Sequence, residues 1–149
     1  MTDRTADLAA IDAAITEMYA MISGPAGPRG WSRQANCFHP NARQIRTVIG
    51  DDGRPELVIM TLDEYAASTA PKFMDEDFYE IETGRRVEIF ATIAHEWSVY
   101  EVRRVPGDTG EAERRGINSI QFTKDPDLGW RIIAMIWDYE RDGESVGAF

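Results

Sequence analysis

Two residue types that most often announce chemistry are nearly missing from this chain of 149 residues, which has one cysteine and two histidines. A lone Cys37 cannot form an internal disulfide, and Cys37 with His39 and His95 offers too few well-spaced ligands for a zinc site. Asp125-Pro126-Asp127 has carboxylates two apart but neither the glycine nor the distal glutamate of a calcium loop, so it reads as a hairpin turn. No glycine-rich phosphate loop and no Gly-x-Ser-x-Gly elbow occurs. No metal or cofactor is implied.

Basic charge is also scarce. The formal net charge is -10, with seven basic against ten acidic residues in 1–75 and nine against sixteen in 76–149. Such a balance repels phosphate backbones and anionic headgroups, so neither nucleic acid nor a membrane surface is an expected partner. No apolar run approaches the roughly 20 residues of a membrane span. The start, Met1-Thr2-Asp3-Arg4, lacks the basic and apolar regions of a secretory signal, so the expected compartment is the cytoplasm. The length fits a single domain over 1–149, enough to bury roughly 70% of the unfolded surface.

What the chain does have is alternation. Ile93 to Val105, Arg115 to Thr123 and Trp130 to Tyr139 are long strand-like runs with large apolar groups on both faces. Upstream, Leu8, Ile11, Ile15, Met18 and Ile22 form one stripe of a helix over about Thr5 to Ile22, with Tyr19 at its edge. Gly24-Pro25 and Gly27-Pro28 end it, and a short helix near Trp31 to Phe38 follows. Arg43 to Ile49 and Leu57 to Met60 flank Asp51-Asp52-Gly53 as a hairpin. Thr61 and Glu64 stand in capping-box relation at a third helix with Leu62, Tyr65, Ala66, Thr69 and Phe73 on one face. Phe78 to Phe90 reads as one long, bulged strand that turns at Ala91-Thr92 into the Ile93 run. The arginine doublets at 85–86, 103–104 and 114–115, near Glu82, Glu88, Glu101, Glu111 and Glu113, read as cross-strand ion pairs.

The fold class is therefore α+β, a cone-shaped, strongly curved antiparallel sheet wrapped around N-terminal helices. That order, with Phe38-His39-Pro40-Asn41-Ala42, Arg115-Gly116-Ile117-Asn118-Ser119-Ile120-Gln121-Phe122, Gly129-Trp130-Arg131-Ile132 and Trp137, resembles the nuclear transport factor 2-like superfamily of cystatin-like fold. The resemblance is closer to its polyketide-cyclase-like (SnoaL-like) branch. It implies a cone that holds a small apolar molecule, and a homodimer through the outer sheet face. It does not fix a function, because the superfamily holds isomerases, dehydratases, cyclases, hydrolases and non-catalytic binding modules.

Ketosteroid isomerases of that fold hold an enolate oxygen with a helix tyrosine and a strand aspartate, and use a hairpin aspartate as base. The resemblance sets Tyr19 near the tyrosine, Asn118 near the oxyanion aspartate and Arg46 on the base position. A guanidinium cannot abstract a proton at neutral pH, which argues against that reaction by that arrangement. With Asn118, Ile120 and Phe122 facing the cavity, the same register turns His95, Trp97, Val99 and Glu101 inward, and likewise Ala134, Ile136 and Asp138. His95 and Asp138 are then the candidate catalytic groups, and Tyr19, Arg46, Trp97, Asn118, Ile120 and Phe122 the candidate ligand contacts. Each has a plain structural alternative: His95 as a hydrogen-bonded strand residue, Asp138 as an ion-pair partner of an arginine, Tyr19 as core. The outer face would then carry Glu96, Ser98, Tyr100, Val102, Ile117, Ser119, Gln121, Met135, Trp137 and Tyr139. Two functions remain, a small-molecule-binding module and a cofactor-independent lyase, isomerase or hydrolase.

Overall fold

In the computed structural model, which describes residues 3–149, helix α1 (Arg4–Ile22) starts at the Asp3 cap, whose side chain accepts from the Ala6 amide. Met1 and Thr2, part of the start read above for a signal, lie outside the described residues. A 3-10 turn spans Trp31–Asn36, and then come β1 (Phe38–Ile49), β2 (Pro55–Met60), α2 (Leu62–Asp75), β3 (Tyr79–Phe90), β4 (Ile93–Arg103), β5 (Arg114–Asp125) and β6 (Gly129–Tyr139). Among the described residues, no helix is long and apolar enough to cross a membrane.

The six strands form one sheet in the order β2-β1-β6-β5-β4-β3, antiparallel except where β1 runs parallel to β6. The capping box is present: the Glu64 amide donates to Thr61 Oγ1, and the Thr61 amide donates to Glu64 Oε1. The helix it opens runs on through Pro71 to Asp75. The long strand before the Ile93 run carries its irregularity between Glu82 and Gly84 and turns at Ala91, which takes a φ of 50°. Asp125 Oδ1 accepts from the amides of Asp127 and Leu128, which makes the expected turn.

Helix α1 buries Ile11, Ile15, Met18 and Ile22 against the inner sheet face, each contributing roughly 1.5–3 kcal/mol of apolar burial. Leu8, expected on that stripe, is exposed. The helix start is tied to the narrow end of the cone by Asp7, whose Oδ1 accepts from Trp130 Nε1 and Lys124 Nζ, both at 2.8 Å. The arginine doublets pair with glutamates only partly across strands: Arg115 with Glu101 joins β5 to β4 and Arg104 with Glu113 spans their connection, whereas Arg85 with Glu82 and Arg103 with Glu101 pair within one strand and Arg114 lies over the Tyr139 ring.

The register of the late strands corrects one expectation. Asn118 opposes Ser98 on one side and Trp137 on the other, so Ser98, Tyr100, Glu96 and Trp137 share its inner face. His95, Trp97, Val99 and Glu101 are turned to the outer face, and so are Ala134, Ile136 and Asp138. On β6 the cause is a bulge: Phe122 opposes Ile132 but Gln121 opposes Ala134, so Ile133 is an extra residue and the alternation inverts beyond it. Trp130 and Ile132 face inward as the even-numbered face was expected to, and Met135, Trp137 and Tyr139 follow on the odd one. On β4 both faces are apolar and the 104–113 connection is too long to set pairing by a turn. A glycine sets it instead: a Cβ on Gly116 would sit 2.5 Å from Tyr100 Oη and 2.9 Å from the Asp138 carbonyl.

Gly116→Ala should therefore cost about 1–3 kcal/mol in urea unfolding, because a backbone carbonyl cannot yield. Gly84→Ala, with open space around the new methyl, should stay within about 0.5 kcal/mol. Thr61→Ala should cost about 1 kcal/mol by loss of the cap.

Candidate functional site

The concave face of the sheet, α1 and α2 enclose a pocket of about 890 Å3 that opens at the end of the cone near Arg114 and Arg141. Its apolar walls are Met18, Met21 and Ile22 of α1, Tyr65 and Phe73 of α2, and Phe78, Tyr100, Val102, Met135 and Trp137. Tyr65 meets Trp137 edge-on at 5.9 Å, and Trp31 stacks behind Phe73 at 6.2 Å, which holds α2 over the sheet. Polar side chains enter this lining from the strands: Gln44, Arg46 and Thr47 from β1, Glu80 from β3 and Asn118 from β5, with Arg114 and Arg115 of β5 and Asp138 of β6 at the rim.

Arg46 reaches the pocket, as expected, and among the described residues no carboxylate lies within 4 Å of its guanidinium. Gln44 is buried, and its side-chain oxygen has no partner. Glu80 is in the pocket without an ion-pair partner among the described residues, and burial pushes its carboxyl up to about 8, against the weaker pull of Lys72 and Arg114.

Asn118 is nearly fully buried and joins a hydrogen-bonded chain that runs out of the pocket. Its Nδ2 donates to Tyr19 Oη at 3.0 Å, Tyr19 Oη lies 2.6 Å from Ser98 Oγ, and Ser98 Oγ donates to Glu82 Oε2. Burial, the Glu80 charge and the Glu82 charge all raise the Tyr19 hydroxyl's pKa, so it stays a neutral donor. Tyr19 thus meets Asn118, as expected for the pair, but it does not itself line the cone. Ile120 and Phe122 also face inward, fully buried in the core beneath the pocket.

The two candidate proton-moving groups are elsewhere. His95 lies on the outer face, with Nε2 3.0 Å from Ser119 Oγ and its ring edge-on to Trp97, and burial lowers its pKa. Trp97 packs against Phe149 at 5.3 Å on that same face. Asp138 sits at the rim in a two-pronged pair with Arg141, at 2.7 and 2.9 Å, which holds its carboxyl below the usual range. The structure therefore brings Asn118, Tyr19 and Arg46 to the inner side, leaves Asp138 at the pocket rim in its pair with Arg141, and turns His95 and Trp97 away from the cavity.

Sequence reasoning missed Glu80, Glu82, Glu96 and Ser98. The available signal was Gly116, since a glycine inside a strand marks a close approach and would have set Tyr100, hence Ser98 and Glu96, opposite the Asn118 strand's inner face.

No protein-family model matches this sequence, and no curated protein is significantly similar to it. Solved structures are similar in fold. A nuclear transport factor 2-like superfamily protein from Salmonella enterica superposes with a TM-score of 0.67 at 15% identity, covering 99% of this chain and 100% of that one. A Nostoc punctiforme protein of unknown function with a cystatin-like fold gives 0.70 at 10% identity over the whole of both chains. A Streptomyces avermitilis protein, provisionally described as a dehydratase of the nuclear transport factor 2-like family, gives 0.64 at 14% identity, covering 91% and 97%.

Glu80 makes one pH dependence specific. A carboxyl raised from about 4.5 unfolded to about 8 folded binds more protons in the native state, so its contribution to stability is lost as pH rises between those values. Glu80→Gln should flatten the fall in unfolding free energy across that window and be the more stable protein above it. On this pocket and strand order, the chain has the nuclear transport factor 2-like, cystatin-like fold.

Proposed function

We propose that this chain binds one small molecule in the cone, with an apolar body against the aromatic walls and a polar group at the inner end. The observation that supports this most directly is that Arg46 enters an apolar-walled pocket with no carboxylate beside it. A charged group left unpaired in such a place is one that a ligand satisfies. An acidic group on the ligand meets Arg46, and its body fills the space between Trp137, Tyr100 and Phe73.

A second reading, a cofactor-independent lyase, isomerase or hydrolase, is favoured by Glu80. A carboxyl with a pKa of about 8 inside the pocket can give or take a proton near neutral pH, a role the Arg46 position cannot fill. One of the similar structures carries a provisional dehydratase description. In this reading Glu80, rather than His95 or Asp138, moves the proton.

We further propose that two copies pair through the outer sheet face. The half-buried outer residues Trp97, Ile117 and Ile136 take the place of Trp137, Tyr100 and Tyr139 in that contact. Light scattering at micromolar concentration should give twice the chain mass; a monomer mass would count against pairing.

A thermal-shift screen of small carboxylic acids and neutral analogues on wild type, Arg46→Met and Asn118→Leu tests the pocket. Stabilisation should grow with ligand as RT ln(1 + [L]/Kd), with acids weakened about tenfold or more by Arg46→Met. Acids that bind all three proteins alike would place the site elsewhere. Conversion of a hit by wild type and not by Glu80→Gln would select the enzymatic reading.

A further inference from the structure

The buried chain behind Asn118 ends in a group that binding alone does not use. Ser98 has one hydroxyl hydrogen, and it goes to Glu82, which is held by Arg85 at 2.5 Å. Tyr19 must therefore donate to Ser98, and Asn118 Nδ2 must donate to Tyr19, because each oxygen has only one hydrogen to give. The direction of the whole chain is set by the carboxylate at its end, which can only accept.

Beside Glu82 is Glu96, fully buried, with neither carboxyl oxygen hydrogen-bonded to a donor. The nearest cation, Arg85 Nε, is 4.0 Å from Glu96 and is shared with Glu82 and with Asp12 of α1. The charged groups facing Glu96 are thus Asp12 from α1 and Glu82 and Arg85 from β3. Two ionised carboxyls there would have only one shared guanidinium between them and a third carboxylate, Asp12, nearby. Burial and the Glu82 charge both favour a proton on Glu96.

We propose that Glu82 and Glu96 hold a single proton between them and, through Ser98 and Tyr19, keep Asn118 turned with its amide oxygen free toward the cone. The pocket then prefers a ligand that brings a hydroxyl or N–H donor to Asn118. This names the ligand's inner polar group and rests on the pocket reading above. Glu82, Glu96, Ser98 and Tyr19 are positioning residues, since none of them lines the cone. Uptake of one further proton by the pair reverses the chain. Glu82 then donates to Ser98, Ser98 to Tyr19 and Tyr19 to Asn118 Oδ1, and the amide turns its N–H groups to the cone. Only hydroxyl and amide rotations follow that uptake, and no bond beyond the new O–H forms.

Two measurements test this. In a Glu80→Gln background, the infrared carbonyl stretch of a protonated carboxyl should persist at pH 7 and vanish on adding Glu96→Gln. Its absence at pH 7 would overturn the shared proton. Calorimetry with 2-naphthol and 2-methoxynaphthalene, which differ in the donor, should favour the naphthol about fivefold on wild type, the worth of one net hydrogen bond. Glu82→Gln, whose amide can donate to Ser98, should abolish or invert that preference, and Ser98→Ala, which cuts the chain, should abolish it. Equal affinity of wild type for both probes, or an unchanged preference in both variants, would overturn the inference alone. Failure of wild type to bind either neutral probe would overturn this inference, while the pocket reading falls only if the carboxylic acids of the thermal-shift screen also go unbound.

Discussion

Everything inside the cone depends on how β4 meets β5. Tyr100 can lie across Gly116 because that residue has no Cβ, and this contact puts Ser98 against Asn118 and Glu96 against Ile120. Shift the pairing by one residue and the polar chain from Asn118 to Glu82 disappears, replaced by His95, Trp97 and Glu101. The bulge at Ile133 performs the same service on β6, bringing Trp137 in line with Asn118 after Trp130 and Ile132 have packed the narrow end.

The interior that results is divided. At the narrow end, Ile11, Ile15, Phe38, Ile120, Phe122 and Ile132 are closely buried, and Asp7 locks α1 to the β5–β6 turn through Trp130 and Lys124. Toward the mouth the packing gives way to the pocket, and there the polar side chains are incompletely satisfied. Among the described residues, Arg46 has no carboxylate, Glu80 has no cation at pairing distance, and Gln44 has an oxygen without a donor. Buried polar groups are normally satisfied, and the exceptions among the described residues are Gln44 in the pocket and Glu96 in the buried cluster behind Asn118.

Most of the architecture was legible in the sequence because its signals are local. The Thr61 capping box, the Gly24-Pro25 stop, the Ala91-Thr92 turn and the bulged strand before it each depend on neighbours a few residues away. Most arginines of the doublets paired with nearby glutamates, several of them within their own strand. The side of each late strand that faces inward was not legible, because both faces carry large apolar residues and alternation alone cannot choose between them. A non-local contact, Tyr100 on Gly116, makes the choice on β4, and an extra residue makes it on β6. This is why Asn118 and Arg46 were found on the inner face while His95 and Asp138 were expected there and lie outside. It is also why Glu96 was expected on the outer face and Glu80 drew no attention.

The account rests on that register, and side-chain nuclear Overhauser contacts from Asn118 read it directly. With selective labelling of asparagine and the aromatic residues, the Asn118 side-chain amide protons should show strong contacts to the Tyr19 ring, 3.0 Å away at its hydroxyl, and none to His95 or Trp97. Contacts from that amide to the His95 or Trp97 rings, with none to Tyr19, would contradict the account.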